Sequence, residues 1–466
     1  MSGDDVDVVV VGAGGGGYPA AFLADAAGRR VVMVDPLGNL GGDCLAEGCI
    51  PSKAVRHAGL IRAQGARASL FGLSGQSTPA DQAGAEWGGV LAYKDGVQRR
   101  RYTQHAAELA ASSIVFHSGR ARIVDEHTVE VDDDAGATHR YRFGDLLLAT
   151  GSAPTRLPIP GAELAITSHD LFRLGADVPF PRRPVIIGGG YIGVEVASML
   201  HNFGATPVVV EAVDQLLPGF DAELAYGLRL ALEERVIVYT GTSVTGIEAR
   251  PDGLRVSFHS ADHQGTVDGD MVVMATGRHP VLPEGVEHLG LAPDHAPTVD
   301  RQLRTESPHV YAAGDVNGRS MLFHSAVRQS QVAAHVILAG GQPVDAMNFE
   351  SVPMTVFTEP EAAHVGLTEQ QATERLGAVE VTRYDYEVDA RAQILRETNG
   401  YLKMVWDARC DRLVGAQVLG ADAAQLIAPL ALAVQAGHTA SMLAEVAFPH
   451  PMISEGISRA ARGIHA

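Results

Sequence analysis

The strongest constraint on this chain is a glycine pattern that occurs twice. An apolar run, VDVVVV, leads into Gly12, Gly14 and Gly17, then a helical pattern ending near Gly28 and a second apolar run closed by Asp35. The second copy reads PVIIGGG, with Gly188, Gly190 and Gly193, a helix expected through about Phe203, and VVVE closed by Glu211. Each acid stands 23 residues beyond its first glycine. One such motif is weak evidence in a chain with 52 glycines, but two equally spaced copies in strand, turn, helix, strand order point to two dinucleotide sites. In such a unit the first glycine permits a tight turn, the second lets a pyrophosphate approach the backbone, and the third lets helix and strand pack closely. The helix start then offers amide N–H groups to the phosphates. Asp35 and Glu211 are placed to hydrogen-bond a ribose. A carboxylate at Glu211 favours a free 2′-hydroxyl over a 2′-phosphate, so NAD is expected there rather than NADP; the alternative is that Glu211 only ends a surface strand.

Length and charge narrow the function class. At 466 residues the chain exceeds one compact core and suggests three or four domains. Its formal charge of -19 disfavours nucleic acid and anionic membranes, which are held by clustered Lys and Arg. The basic run Arg99, Arg100 and Arg101 reads as a solvated helix face. The N-terminus lacks the basic start of a secretory signal, and the most apolar helical stretch, around Ile427 to Ala436, contains Pro429 and is too short to span a bilayer. A cytoplasmic location is expected. Three cysteines make no secreted disulfide framework, so a close pair suggests redox work in a reducing compartment.

That pair is Cys44 and Cys49, within GGDCLAEGCIPSKA. On one helix a separation of five residues is near enough to a whole number of turns for a modest distortion to bring the sulfurs together. Zinc would need ligands for which the sequence shows no second cysteine pair or close histidine cluster, so no metal site is expected. Cys410, alone in a strand-like stretch, is read as packing. Lys53 follows Cys49 by four residues and Glu195 is its natural counter-charge; the plain alternative is an exposed lysine. Apolar strands also run into Gly151 and Gly277 through Ala-Thr-Gly, and another ends at Asp315, which suits a ribityl hydroxyl or an ordinary acidic turn. Near the end, FPHPMISEGI carries His450 and Glu455. Pro451 suits a helix start, and a histidine oriented by a carboxylate can move protons between thiols near neutral pH; a purely structural pair is the rival.

Taken together, GAGGGGYPAA, GGDCLAEGCIPSKA, LLLATG, GGGYIGVE, VVMATGRHP, YAAGDV, FTEPEAAHVGLTE and HPMISE stand in an order that resembles the FAD-dependent pyridine nucleotide-disulfide oxidoreductases of class I, most of all the dihydrolipoyl dehydrogenase branch. The resemblance implies an α/β fold: two Rossmann-like nucleotide-binding domains, for FAD and NAD, plus an α+β C-terminal dimerisation domain. The implied boundaries are 1–152 for the first part of the FAD domain, 153–275 for the NAD domain, 276–347 for a central domain completing the FAD site, and 348–466 for the interface. It further implies a homodimer in which each active site borrows His450 and Glu455 from the other subunit. Cys49 is then the thiol touching the flavin in a charge-transfer pair, Cys44 the outer thiol that exchanges with substrate, His450 the base, and Glu455 its anchor. Lys53 pairs with Glu195 beside the flavin, Tyr191 covers the nicotinamide pocket, and Asp315 binds FAD. The implied reaction is oxidation of dihydrolipoyl groups, free or on a lipoyl domain, by NAD.

The chain departs from the usual pattern at Ala46, where relatives carry a polar residue, and at Asp35, which replaces a commoner glutamate. FPHP, DARA near Arg391 and Asp43 are similar to the mercuric reductase branch, making that chemistry, or reduction of another small disulfide, the alternative. Against mercury stand the lack of adjacent C-terminal cysteines and the presence of His450. A non-catalytic flavin-binding assembly subunit is a third reading, disfavoured by the intact Cys44, Cys49, His450 and Glu455 set.

Overall fold

The computed structural model describes residues 4–73, 83–261 and 264–463. Its first sheet grows from the first glycine unit. Strand β1 (Asp4–Val11) leads through the turn to helix α1 (Tyr18–Ala26) and strand β2 (Val31–Asp35). Helices α2 (Gly42–Ala46), α3 (Cys49–Ala66) and α4 (Ala83–Ala110) follow, then strands β3 (Val115–Asp125), β4 (Thr128–Asp133) and β5 (Thr138–Leu148). β1 pairs in parallel with β2 and β5, β2 with β3, and β5 with Val310–Ala312. β3 and β5 are long enough to serve twice: their other halves pair antiparallel with β4 in a meander. Central parallel strands are covered on both faces and so read as unbroken apolar runs. Val9, Val10, Leu146, Leu147 and Leu148 accordingly expose no surface.

The second unit repeats the plan. Strands Met271–Met274, Pro184–Ile187, Val208–Val210 and Ile237–Tyr239 form a parallel sheet in that order, with helix Tyr191–Asn202 following the glycine turn. An antiparallel three-stranded sheet, Ser243–Arg250, Gly253–His259 and Gln264–Gly269, adjoins it. The C-terminal part is a five-stranded antiparallel sheet covered by helix Ala423–Ala436, whose Leu426, Ile427 and Leu430 share one apolar core with Trp406. This is the mixed α/β class expected. None of the described helices is long and apolar enough to cross a membrane.

Four local expectations need correction. Cys44 and Cys49 do not share a helix: the chain breaks at Glu47 and Gly48, placing Cys44 in α2 and Cys49 at the first position of α3. The last helix begins at Glu455, not at Pro451, so His450 lies in the preceding loop. Cys410 is exposed in the turn between strands Tyr401–Asp407 and Arg412–Leu419 and packs no core; apolar strands on both sides hid a polar hairpin turn. Arg99 and Arg100 are solvated on α4 as expected, but Arg101 turns onto the wall of the main cavity.

Candidate active site

The two glycine turns are superimposable in their constraints. Gly12 and Gly188 both adopt φ of +107°, and a Cβ on either would meet a carbonyl oxygen, of Ala149 at 2.1 Å or of Ala275 at 2.3 Å. Only glycine fits the conformation and the space. Gly17 and Gly193 close the turns, each with its Cα side against the carbonyl of the first glycine. Helix α1 and helix Tyr191–Asn202 both begin at a glycine without a side-chain cap, which leaves first-turn amides to an outside acceptor such as a phosphate. The acids are equivalent too. Asp35 accepts the N–H groups of Ala13 and Leu37, both at 2.7 Å; Glu211 accepts those of Gly189 at 2.5 Å and Val213 at 2.9 Å. Both are buried, so Glu211 is not merely a surface strand end. Burial raises Asp35 above the usual carboxylate range despite the two amide bonds.

A cavity of about 800 Å³ runs from the first turn to the cysteines. Gly12, Gly14, Asp35 and Gly151 line it, as do Asp315, Cys44, Cys49, Lys53, Tyr191 and Glu195. Gly188, Gly190, Gly193, Glu211 and Gly277 do not; they lie in the second unit, at its glycine turn and beyond the ends of its parallel strands. The donor and acceptor set fits the two nucleotides: uncapped helix starts for pyrophosphates, buried acids for riboses, and an elongated apolar cavity for a ring system.

The redox loop reaches this cavity because two glycines let it approach the first turn. A Cβ on Gly42, the first residue of α2, would lie 2.8 Å from the Cα of Gly14. Cys44 and Cys49 then meet as thiols in hydrogen-bond contact. The bond from Cys44 and the nearby Lys53 charge hold Cys49 below the ordinary thiol range, while the same bond and burial push Cys44 up. The pair is thereby biased so that Cys49 is the thiol that gives up its proton more readily. Lys53 is no exposed lysine: its Nζ donates to Glu195 at 2.5 Å and stands 4.6 Å from the centre of the Phe357 ring. The other oxygen of Glu195 accepts the Phe357 N–H at 2.9 Å, so the FTEP segment fixes the pair.

Sequence reading missed a polar group on the opposite flank. Arg278 donates to Asp43, to the Ser152 hydroxyl at 2.7 Å and to the Ser152 carbonyl at 2.8 Å, and contacts His169 at 2.9 Å. Ser152 in turn donates to Asp315 at 2.6 Å. Burial raises Asp315 above its usual value, and the His169 contact at 2.5 Å holds Glu47 below its own. Asp43, next to Cys44, is thereby tied to a residue 235 positions away. The one available sign was Arg278 directly after Ala-Thr-Gly. The His450 Nδ1–H donates to Glu455 at 3.0 Å, which holds the Glu455 carboxyl below its usual range. His450 is 67% exposed, and neither residue lines the cysteine cavity of the same chain.

The class these features define is a two-nucleotide, dithiol-bearing electron-transfer enzyme. Residues 6–330 match the pyridine nucleotide-disulphide oxidoreductase family and residues 352–461 its dimerisation domain, and the chain belongs to that family. It is accordingly an FAD-dependent disulfide oxidoreductase that uses a nicotinamide nucleotide. Among its relatives, a dihydrolipoyl dehydrogenase of Bacillus subtilis is 34% identical over 457 residues, covering 97% of this chain and 94% of the other. One from Thermus scotoductus is 34% identical over 466 residues, covering 98% and 97%. Of solved structures, LpdA of Mycobacterium tuberculosis superposes with a TM-score of 0.87 at 27% identity, covering 99% of this chain and all of that one. The HOCl-induced flavoprotein disulfide reductase RclA of Escherichia coli gives 0.84 at 25% identity, covering 98% of this chain and 99% of that one.

Proposed function

We propose that this enzyme oxidises dihydrolipoyl groups to the cyclic disulfide with NAD as acceptor, through FAD and the Cys44–Cys49 pair. The observation that carries the reading is the adjacent Cys44 and Cys49 thiols on the wall of the nucleotide cavity, beside the Lys53–Glu195 ion pair. The full-length likeness to curated dihydrolipoyl dehydrogenases supports the substrate class.

FAD, when bound, carries two electrons between the cysteine pair and the nicotinamide. The chain's residues handle the sulfur and proton steps. A substrate thiolate attacks Cys44 of the oxidised pair, releasing Cys49 as a thiolate that Lys53 stabilises. The second substrate thiol, deprotonated by His450 of the partner subunit, closes on its own sulfur and expels Cys44. The substrate sulfurs lose two electrons and two protons as their disulfide forms, the Cys44–Cys49 bond takes up the two electrons as it breaks, and one proton is returned by His450 to the expelled Cys44 while the other leaves to solvent. Glu455 keeps the imidazole in the tautomer whose Nε2 is free to accept. The dimerisation-domain match supports a homodimer, and the exposure of His450 in one chain accords with a site completed by the second. Asp35, Asp315 and the turn at Gly12, Gly14 and Gly17, with Gly151, would hold FAD. Gly188, Gly190, Gly193, Glu211 and Gly277 would hold NAD, with Tyr191 between the two. The units then divide near residues 152, 275 and 347.

The test is a steady-state comparison of lipoamide, glutathione disulfide and mercuric ion with NADH. Lipoamide should have the highest kcat/KM by about a hundredfold or more, and Cys44→Ser should abolish its turnover. A higher kcat/KM for glutathione disulfide or mercuric ion would contradict the assignment.

A further inference from the structure

Among the described residues, two groups of three potential metal ligands lie close enough together to share an ion. One, Asp43, Glu47 and His169, is already occupied by a cation: the Arg278 guanidinium contacts both Asp43 and His169. The other, His117, Asp133 and His139, has no such guanidinium and lines no part of the main cavity. The sequence concealed it, because His117 and His139 lie on different strands and meet only through the meander.

The strand pairing explains the meeting. Asp133, the last residue of β4, pairs with Gly119 of β3, while Val131 of the same strand pairs with His139 of β5. The two imidazole rings lie 4.3 Å apart at a tilt of 35°. One Asp133 oxygen is 2.8 Å from His139 Nε2, and the other accepts the Ala137 N–H at 2.8 Å, which fixes the carboxylate. His117 Nε2 lies 2.7 Å from the hydroxyl of the buried Tyr141. When that N–H donates to the tyrosine, the Nδ1 lone pair is left for a ligand, the outer-sphere arrangement usual for metal-bound histidine.

We propose that His117, Asp133 and His139 form a binding site for a divalent ion of borderline softness, of the Zn²⁺ type, distinct from the redox centre. Two imidazoles and one carboxylate are a donor set such ions prefer, and a side of His139 open to solvent leaves room for water as the fourth ligand. The three ligand atoms lie within 4.8 Å of one another. Around a tetrahedral ion with bonds of about 2.0–2.1 Å they would sit roughly 3.3 Å apart, a closure that side-chain rotation supplies. An ion there joins all three strands of the meander, of which β3 also carries Gly119, Arg120 and Ala121 on the cavity wall.

The experiment must separate this site from the thiols. Flavin-loaded protein carrying Cys44→Ser, Cys49→Ser and Cys410→Ser is titrated with Zn²⁺ by calorimetry. The site predicts one ion per chain, bound at least about tenfold more weakly in His117→Gln, in His139→Gln and in Asp133→Asn, and unchanged in His169→Ala. Flavin absorbance and circular dichroism verify folding. Independently of any histidine substitution, Cu²⁺ bound to the thiol-free protein should show nitrogen hyperfine coupling from two imidazoles. Absence of binding, equal affinity in a His117→Gln/His139→Gln double variant, or loss in His169→Ala alone would overturn the proposal.

Discussion

Cys44 and Cys49 have the same side chain, and the hydrogen bond between them is the largest cause that shifts the two thiols in opposite directions. Lys53 is among the groups that lower Cys49, after the Cys44 hydrogen bond. Lys53→Met removes that contribution, so the Cys49 pKa should rise and the thiolate of the reduced enzyme should persist over a narrower pH range. Ultraviolet thiolate absorbance against pH reads this directly; a titration curve that does not move would remove Lys53 from the account. In the proposed NAD site Glu211 would act through charge as well as hydrogen bonding. NADH should have a much higher kcat/KM than NADPH, and Glu211→Ser should narrow the ratio by about tenfold, equivalent to roughly 1.4 kcal/mol. A wild-type ratio near one would contradict the role assigned to that carboxylate.

Among the secondary-structure elements, α4 places the redox helix. Lys94 is fully buried and donates to Asp95 at 2.5 Å, Gln98 at 2.9 Å, and the carbonyls of Phe172 and Arg173 at 3.1 and 2.8 Å. Gln98 donates in turn to the carbonyls of Leu45 and Ala46, the last residues of α2. Replacing Lys94 by methionine strands the Gln98 Oε1 and the carbonyls of Phe172 and Arg173, while Asp95 keeps the Gly175 N–H and Arg99, a loss of about 3 kcal/mol. Urea denaturation should show that fall, with a smaller one of about 1–3 kcal/mol for Gln98→Leu; unchanged midpoints would show that α4 does not hold α2. None of this is visible in sequence. The glycine turns were legible because local geometry admits only glycine at Gly12 and Gly188, and the buried strands because parallel sheets demand apolar runs. Lys94, Gln98 and Arg278 work through partners tens to hundreds of residues away, which no local spacing records. The start of the last helix was misread for a related reason: Pro451 is compatible with a helix start but does not compel one. In the same way the hairpin at Cys410 is set by strand pairing rather than by the cysteine.

For the whole molecule, an active site made by two subunits has an arithmetic consequence. In a hybrid of one Cys44→Ser subunit and one His450→Ala subunit, one site pairs two defects and the other pairs two intact halves. Purified hybrid dimers should therefore recover about half of wild-type lipoamide turnover, although each parent homodimer is inactive. A hybrid as inactive as its parents would place His450 and Cys44 in the same subunit's site. The central claim, that electrons pass between nicotinamide and substrate through a cycling Cys44–Cys49 bond, is tested most directly by differential alkylation and mass spectrometry under anaerobic conditions. After NADH alone, both cysteines should take the label as thiols. After lipoamide is added, the peptide should return to the internally bridged, unlabelled form while exposed Cys410 stays labelled throughout. Equal labelling of Cys44 and Cys49 in both states, during continued NADH oxidation by lipoamide, would contradict the mechanism.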